Sequence, residues 1–273
     1  NVHSVMFIEE KMMTPAQIEK AAQVLKKARL EKTVIDQIPV EIRPQNLTEA
    51  YAIQDRLIEI LGLETAGWFC ACTNKRIQEI LQLREPYYAR LLKDYVLIQP
   101  VTLNSTDYPP IVIECEFGFR LARDLPRRPA IYERAEIEDA ISEVHPTIEV
   151  VAGHLRDWPN QDVWSVIADN GTDGALIVGA GNRNWRDIAL EQVFVTLTVN
   201  GRRVRSGYGN NILGDPVVAL VWLANARSRD GDGLKAGHIH NTGTATDIYW
   251  ASPGDDIIAD FKGLGSVSLA LRD

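Results

Sequence analysis

The sequence predicts an α+β protein, in which a mainly helical N-terminal region (1–100) packs on a β-rich core (101–273) as one structural unit. Three observations predict it. Apolar residues recur at helical spacing through the first hundred positions, they alternate at period two through much of the remainder, and the character changes near Pro109-Pro110. The chain has 273 residues, 45% hydrophobic and 24% charged, an ordinary globular composition long enough to bury a full core.

The first helix starts at Thr14-Pro15, a capping residue followed by proline at the first helical position, and carries the stripe Ile18, Ala21, Ala22, Leu25 and Ala28. Thr48 opens a second, with Ala50, Ile53, Leu57, Ile60 and Leu61 on one face and Gly62 as its stop. A third is expected from Asn74 to Leu83, before Pro86. In the second part, Ile111 to Phe119 alternates as a strand, and Val193 to Val199, Asn200-Gly201 and Arg202 to Arg205 spell a hairpin with a type I′ turn. Ile257 to Phe261 and Val267 to Leu271 are two more strands. Helices are expected from Glu133 to Val144, closed by His145-Pro146, and from Asp215-Pro216 to Gly231.

Several function classes are excluded. The formal net charge is −8, and the one basic cluster (Lys26, Lys27, Arg29 and Lys32) shares its helix with Glu19 and Glu31, so no nucleic-acid partner is expected. No apolar run approaches the roughly 20 residues that span a bilayer. Three cysteines (Cys70, Cys72 and Cys115) make no disulfide framework, and Cys70 and Cys72 without a second pair make no zinc site; a reducing, cytoplasmic setting is expected.

The chemistry is concentrated in Ile111-Val112-Ile113-Glu114-Cys115-Glu116-Phe117-Gly118-Phe119. At period two the odd-numbered residues form one apolar face, and Glu114 and Glu116 project together from the other, about 7 Å apart along the strand. On this stretch alone a solvated strand face explains the pair slightly better than a metal does. A third carboxylate, Glu149, sits within the apolar run Thr147-Ile148-Glu149-Val150-Val151, where an acid needs solvent or a partner. Three carboxylates from neighbouring strands make an oxygen-rich site for a hard cation, Mg²⁺ or Mn²⁺, with positions left for substrate.

At these residues the chain resembles the 2-oxopent-4-enoate hydratase/4-oxalocrotonate decarboxylase family of the fumarylacetoacetate hydrolase superfamily. The resemblance runs through Ala50-Tyr51-Ala52-Ile53-Gln54, Gly67-Trp68, Thr73, Lys75, Glu85-Pro86, Glu114, Glu116, Glu149, Ala168-Asp169-Asn170, Leu213-Gly214-Asp215-Pro216 and Trp222-Leu223-Ala224-Asn225. It implies a mixed β-roll or β-sandwich core and a metal on Glu114, Glu116 and Glu149 that chelates the carboxylate and 2-oxo oxygens of an enolisable 2-oxo acid. It implies homo-oligomers, in some members paired with a pathway enzyme. Glutamate rather than aspartate at the third ligand favours the hydratase/decarboxylase branch over the C–C hydrolases.

The sequence also departs from the family. Phe69 stands where the pattern has a lysine, Ala71 where it has glycine, Tyr87 where it has the aspartate after Glu-Pro, Ile113 where it has proline, and Gly153-His154 where it has Ser-Arg; Thr172 replaces the loop serine. Proton transfer is therefore expected from Tyr87, His154, Lys75 or metal-bound water. Phe69, Ile113, Thr172 and Asn170 are expected to bind substrate in a more apolar pocket, for a bulkier molecule than the small dienoates. Three functions follow: a hydratase or decarboxylase, a C–C hydrolase on the same metal, or a catalytically weak partner subunit. The His238-Ile239-His240 pair is the competing metal motif, without a third ligand at suitable spacing.

Overall fold

The computed structural model describes residues 12–108 and 110–273; Asn1 to Lys11 and Pro109, half of the pair at which the sequence changes character, lie outside the described residues. The helices are α1 (Pro15–Leu30), α2 (Leu47–Leu61), α3 (Lys75–Ile80), α4 (Arg134–Ala140), α5 (Val163–Ala168) and α6 (Pro216–Asp230). The strands are β1 (Thr65–Ala71), β2 (Tyr87–Leu92), β3 (Val96–Ile98), β4 (Val101–Asn104), β5 (Val112–Leu121), β6 (Leu125–Pro126), β7 (Ile141–Val151) and β8 (Asp173–Val178). They continue with β9 (Phe194–Val199), β10 (Arg202–Tyr208), β11 (Gly233–Leu234), β12 (Ile239–Thr244), β13 (Tyr249–Trp250), β14 (Asp256–Phe261) and β15 (Gly265–Arg272).

Local chemistry sets most boundaries. Thr14 and Gln17 close a capping box over α1, and its buried stripe is Ala21, Ala22, Leu25 and Ala28, as predicted. The cap of α2 is Asn46, whose side chain accepts from Glu49 N, and Gly62 ends the helix at φ 68°. Asn200 and Gly201, at φ 49° and 77°, make the predicted turn between β9 and β10. The third helix is shorter than predicted, Lys75–Ile80 on an Asn74 cap.

The helix expected over Glu133–Val144 is corrected: it stops at Ala140, and Ile141 to Val151 is strand. Pro146 is therefore no helix stop. It lies just past the last β7–β8 pair, Thr147 with Val178, and its carbonyl on that side accepts from Gly179 N. The missing proline N–H thus breaks no ladder bond. His145, expected at a helix end, is buried in β7 with Nδ1 2.9 Å from Gly179 O.

A mixed eight-stranded sheet has the order β2-β1-β12-β5-β7-β8-β3, with β13 also paired to β5. A second sheet, β10-β9-β14-β15-β4, packs on one face of the first, and β6 pairs with β11. Ile113, Cys115, Phe117 and Phe119 of β5 enter the core between them, where Phe117 meets Phe261 edge-on at 5.0 Å. Each such side chain contributes about 1.5–3 kcal/mol of apolar burial. On the opposite face Phe69, Ala89, Leu91, Leu176, Val178 and Ile239, from β1, β2, β8 and β12, form one cluster, so the large sheet curls upon itself as a roll. Residue 100 marks no break: β1 from the first hundred residues pairs in parallel with β12, Gly67 opposite Ile239.

Candidate active site

Strands β5 and β7 run antiparallel with Glu114 opposite Glu149 and Glu116 opposite Thr147. The alternation that sends Ile113 and Cys115 into the core sends Glu114 and Glu116 to the inner face of the roll. Glu149 joins them from β7, and one carboxylate oxygen from each of the three lies within 4.8 Å of the others. Glu116 accepts from Gly243 N at 2.9 Å. Thr147 Oγ1 lies 2.9 Å from the Glu116 carbonyl and 3.1 Å from Asn241 Oδ1. The Asn241 amide is thus packed beside the Glu116 strand and next to Glu149, whose carboxyl it hydrogen-bonds.

Glu116 and Glu149 are buried and Glu114 is half-buried. Burial raises the pKa of all three: that of Glu149 is pushed up to about 8, with the Glu114 charge as the next cause, and that of Glu116 goes well above the carboxylate range. No lysine, arginine or histidine among the described residues forms an ion pair with them. Three converging carboxylates, two of them buried, with no ion-pair partner among the described residues fit a hard divalent cation, which supplies the missing positive charge.

Of the trio, Glu114 lines a cleft of about 1100 Å³ together with Cys72, Thr73 and Tyr87, with Glu116 and Glu149 buried behind it. Tyr87 is buried; its phenol is held well above its usual pKa by burial first, then by negative charge on Cys72, Glu114 and Glu149, so it remains a proton donor. The side walls are apolar at Ile77, Ile80, Trp158 and Val166, and cationic at Arg203 and Arg205.

Of the residues expected to act beside the metal, Tyr87 lines the cleft, and the other six do not. His154 is buried, its N and Nδ1 2.9 and 3.3 Å from Asp169 Oδ2. Asp169 in turn binds Arg29, which reaches Asp173 at 2.6 Å, so His154 belongs to an ionic knot that ties α1 to the 169–173 loop. Asn170 exchanges two hydrogen bonds with the backbone of Arg90, at 2.9 and 3.0 Å, and clamps that loop to β2. Thr172 is buried against Gly153. Lys75 is exposed at the start of α3. Ile113 is wholly buried in the core on the far side of β5 from the glutamates, the face that alternation dictates. Phe69 is on the glutamate face but sealed within the apolar cluster of the roll, its ring packed against Gly171.

Asn241, Gly243, Arg203 and Arg205 escaped sequence reading. Asn241 and Gly243 are unremarkable letters until β12 is placed beside β5, and Arg203 and Arg205 lie in a hairpin strand whose local pattern carries no sign of a cleft. The competing His238–His240 motif brings no third ligand: among the described residues the glutamate trio is the metal-compatible cluster. His240 is buried, takes Trp68 N on its Nδ1 at 3.2 Å, and is pushed down to about 3 by burial.

Residues 95–271 match the fumarylacetoacetate (FAA) hydrolase C-terminal family. The chain belongs to that family. It is 32% identical to a 2-keto-4-pentenoate hydratase of Paraburkholderia xenovorans (strain LB400), over 93% of this chain and 95% of that protein. It is 28% identical to a 4-oxalocrotonate decarboxylase of Pseudomonas putida, over 92% and 96%. Among solved members of the superfamily, 4-oxalocrotonate decarboxylase from Pseudomonas putida G7, in complex with magnesium and adipate, superposes with a TM-score of 0.88 at 24% identity, over 96% of this chain and 99% of that one. Fumarylpyruvate hydrolase from Pseudomonas aeruginosa, in complex with Mn²⁺ and pyruvate, superposes with a TM-score of 0.57 over 77% of this chain. The FAA hydrolase fold expected from the sequence is thus the fold observed.

Proposed function

We propose that this FAA hydrolase family member is a divalent-metal-dependent lyase that hydrates or decarboxylates an enolisable 2-oxo acid. The observation that carries the reading is the convergence of Glu114, Glu116 and Glu149 within 4.8 Å, with Glu114 lining a large cleft. Full-length relatives named as hydratases and as a decarboxylase support the lyase class. Mg²⁺ or Mn²⁺ held by the three glutamates would supply Lewis-acid polarisation of a 2-oxo carboxylate.

The chain's own residues supply orientation and a proton. Gly243 N fixes one oxygen of Glu116, and Thr147 braces the Glu116 backbone from β7. Tyr87, protonated across the neutral range and lining the same cleft as Glu114, donates a proton or a hydrogen bond to substrate. The apolar wall of Ile77, Ile80 and Trp158 offers packing for the body of a substrate, and the cleft volume accommodates one larger than a five-carbon acid. Assembly into homo-oligomers belongs to the same reading and is measured by light scattering.

Glu114→Ala tests it. The expected result is Mg²⁺ binding weakened at least a hundredfold by titration calorimetry, with turnover of 2-oxo acids lost. Metal binding abolished with turnover unchanged would sink the mechanism. Product analysis separates water addition, CO₂ release and C–C hydrolysis.

Phe69 favours a second reading, a catalytically weak partner subunit, because the position of the family lysine is packed with apolar side chains and no ammonium group among the described residues lines the cleft in its place. Metal-dependent oxalate binding without turnover of any 2-oxo acid in a broad panel selects that reading.

A further inference from the structure

The glutamate trio borders two separate spaces. Glu114 lines the large cleft, Glu149 lines a second cavity of about 10 Å³, and Glu116 lines neither. Among the described residues none lines both. Yet Glu114 and Glu149 stand opposite each other on β5 and β7, with one oxygen of each within 4.8 Å of the other. The carboxylate cluster is therefore a thin partition between the cleft and the small cavity.

The small cavity lies in the seam where the roll closes. β2 pairs with β1, and β8 pairs with β7 and β3, so no ladder joins β2 to β8. Side chains satisfy the free edge of β2 instead: Tyr88 N donates to Tyr51 Oη at 3.1 Å, and the Arg90 backbone exchanges its two bonds with Asn170. Exposure falls along the lining, from Tyr95 at 41% through half-buried Arg90 and Val96 to buried Leu176 and Glu149. The seam thus runs from solvent to a residue of the trio. Its volume is about that of one water, and a buried water needs polar partners. Glu149 and Asp173 provide them within an otherwise mainly apolar lining. Asp173 is held by Arg29 at 2.6 Å, and a carboxylate in that state keeps acceptor capacity for a further hydrogen bond.

We propose that the seam between β2 and β8 is a water port, which binds one solvent molecule against Glu149 and admits water to the glutamates from behind while a ligand fills the cleft. A ligand in the cleft displaces the solvent that stands there, whereas a reaction that adds water still has to draw on it. Separate paths for water and for the organic acid meet both demands. The bound water stands on the seam alone; its use rests on the proposed metal at Glu114, Glu116 and Glu149.

Two measurements test the port. A high-resolution crystal structure of the metal-free full-length protein is expected to show an ordered water within hydrogen-bond distance of Glu149 and Asp173, and a dry seam overturns the proposal. Oxygen-17 relaxation of solvent by the Mn²⁺-loaded protein, with oxalate saturating the cleft, reads the rate at which water reaches the ion. Tyr95→Ala, at an exposed site on the mouth of the seam whose loss leaves the fold intact, is expected to raise that rate at least twofold. Val96→Phe, which narrows the same passage, is expected to lower it at least tenfold. A wild-type rate in Tyr95→Ala overturns the port, even if Val96→Phe fails to fold. Absence of any Mn²⁺ effect on solvent relaxation refutes the metal reading instead, and the crystallographic water still decides the seam.

Discussion

Each of the three glutamates holds opposite value with and without a divalent ion. The Glu149 carboxyl has an ordinary value of 4.5 and is pushed up to about 8 in the fold. Between those values the metal-free fold keeps a proton that the unfolded chain has released. That contribution to stability is complete below pH 4.5 and is lost as pH rises through about 8. The metal-free protein is expected to melt at progressively lower temperature across this window, and Glu149→Gln to flatten the decline, both read by calorimetric scans. Divalent-ion affinity runs the other way and rises with pH, since the ligands must be ionised. Phe69 makes a different prediction. Phe69→Lys, which restores the family's residue type, places an ammonium among Leu91, Leu176 and Ile239 and is expected to cost at least about 3 kcal/mol in denaturant unfolding, with no gain in turnover.

At the scale of elements, the loop that follows β12 matters as much as the strands that carry the acids. Gly243 has φ 90°, and a Cβ there would lie 2.1 Å from Thr73 Oγ1. Gly243→Ala is therefore expected to displace the N–H that orients Glu116, lowering Mg²⁺ affinity at least tenfold in a calorimetric titration while Glu114 and Glu149 stay in place. The same contrast explains what the sequence made legible. Period two in β5 placed Glu114 and Glu116 on one face and, by the same count, Ile113 on the other, where it belongs to the core and not to a pocket. An acid inside an apolar run marked Glu149. Position in a family pattern was a poorer guide. Asn170, Thr172 and His154 occupy pattern positions yet are buried in the loop and ionic knot that brace α1 and β2, because a pattern records which residues recur and not which atoms reach solvent. Asn241 and Gly243 were illegible for the complementary reason: their places beside the glutamates depend on register between segments far apart in sequence, which no local period encodes.

For the whole molecule, the glutamate trio couples ion binding to folding. An ion that binds only the folded state adds about 2.7 kcal/mol at a concentration one hundred times its Kd. Saturating Mg²⁺ is thus expected to raise the melting temperature of the wild type and to leave that of Glu116→Gln unmoved. Differential scanning calorimetry with and without a chelator checks both. No helix among the described residues is long and apolar enough to cross a membrane.

The parallel pairing of β1 with β12 sets a timetable for synthesis. β1 ends at Ala71 and its partner at Thr244, so a nascent chain holds one half of that ladder for the time needed to translate the intervening stretch, roughly 9 to 35 s. During that interval the Gly67 edge has nothing to pair with except itself or a chaperone. Ribosome-stalled chains that stop short of Ile239 should remain open to protease around residues 65–71, and chains released beyond Thr244 should close.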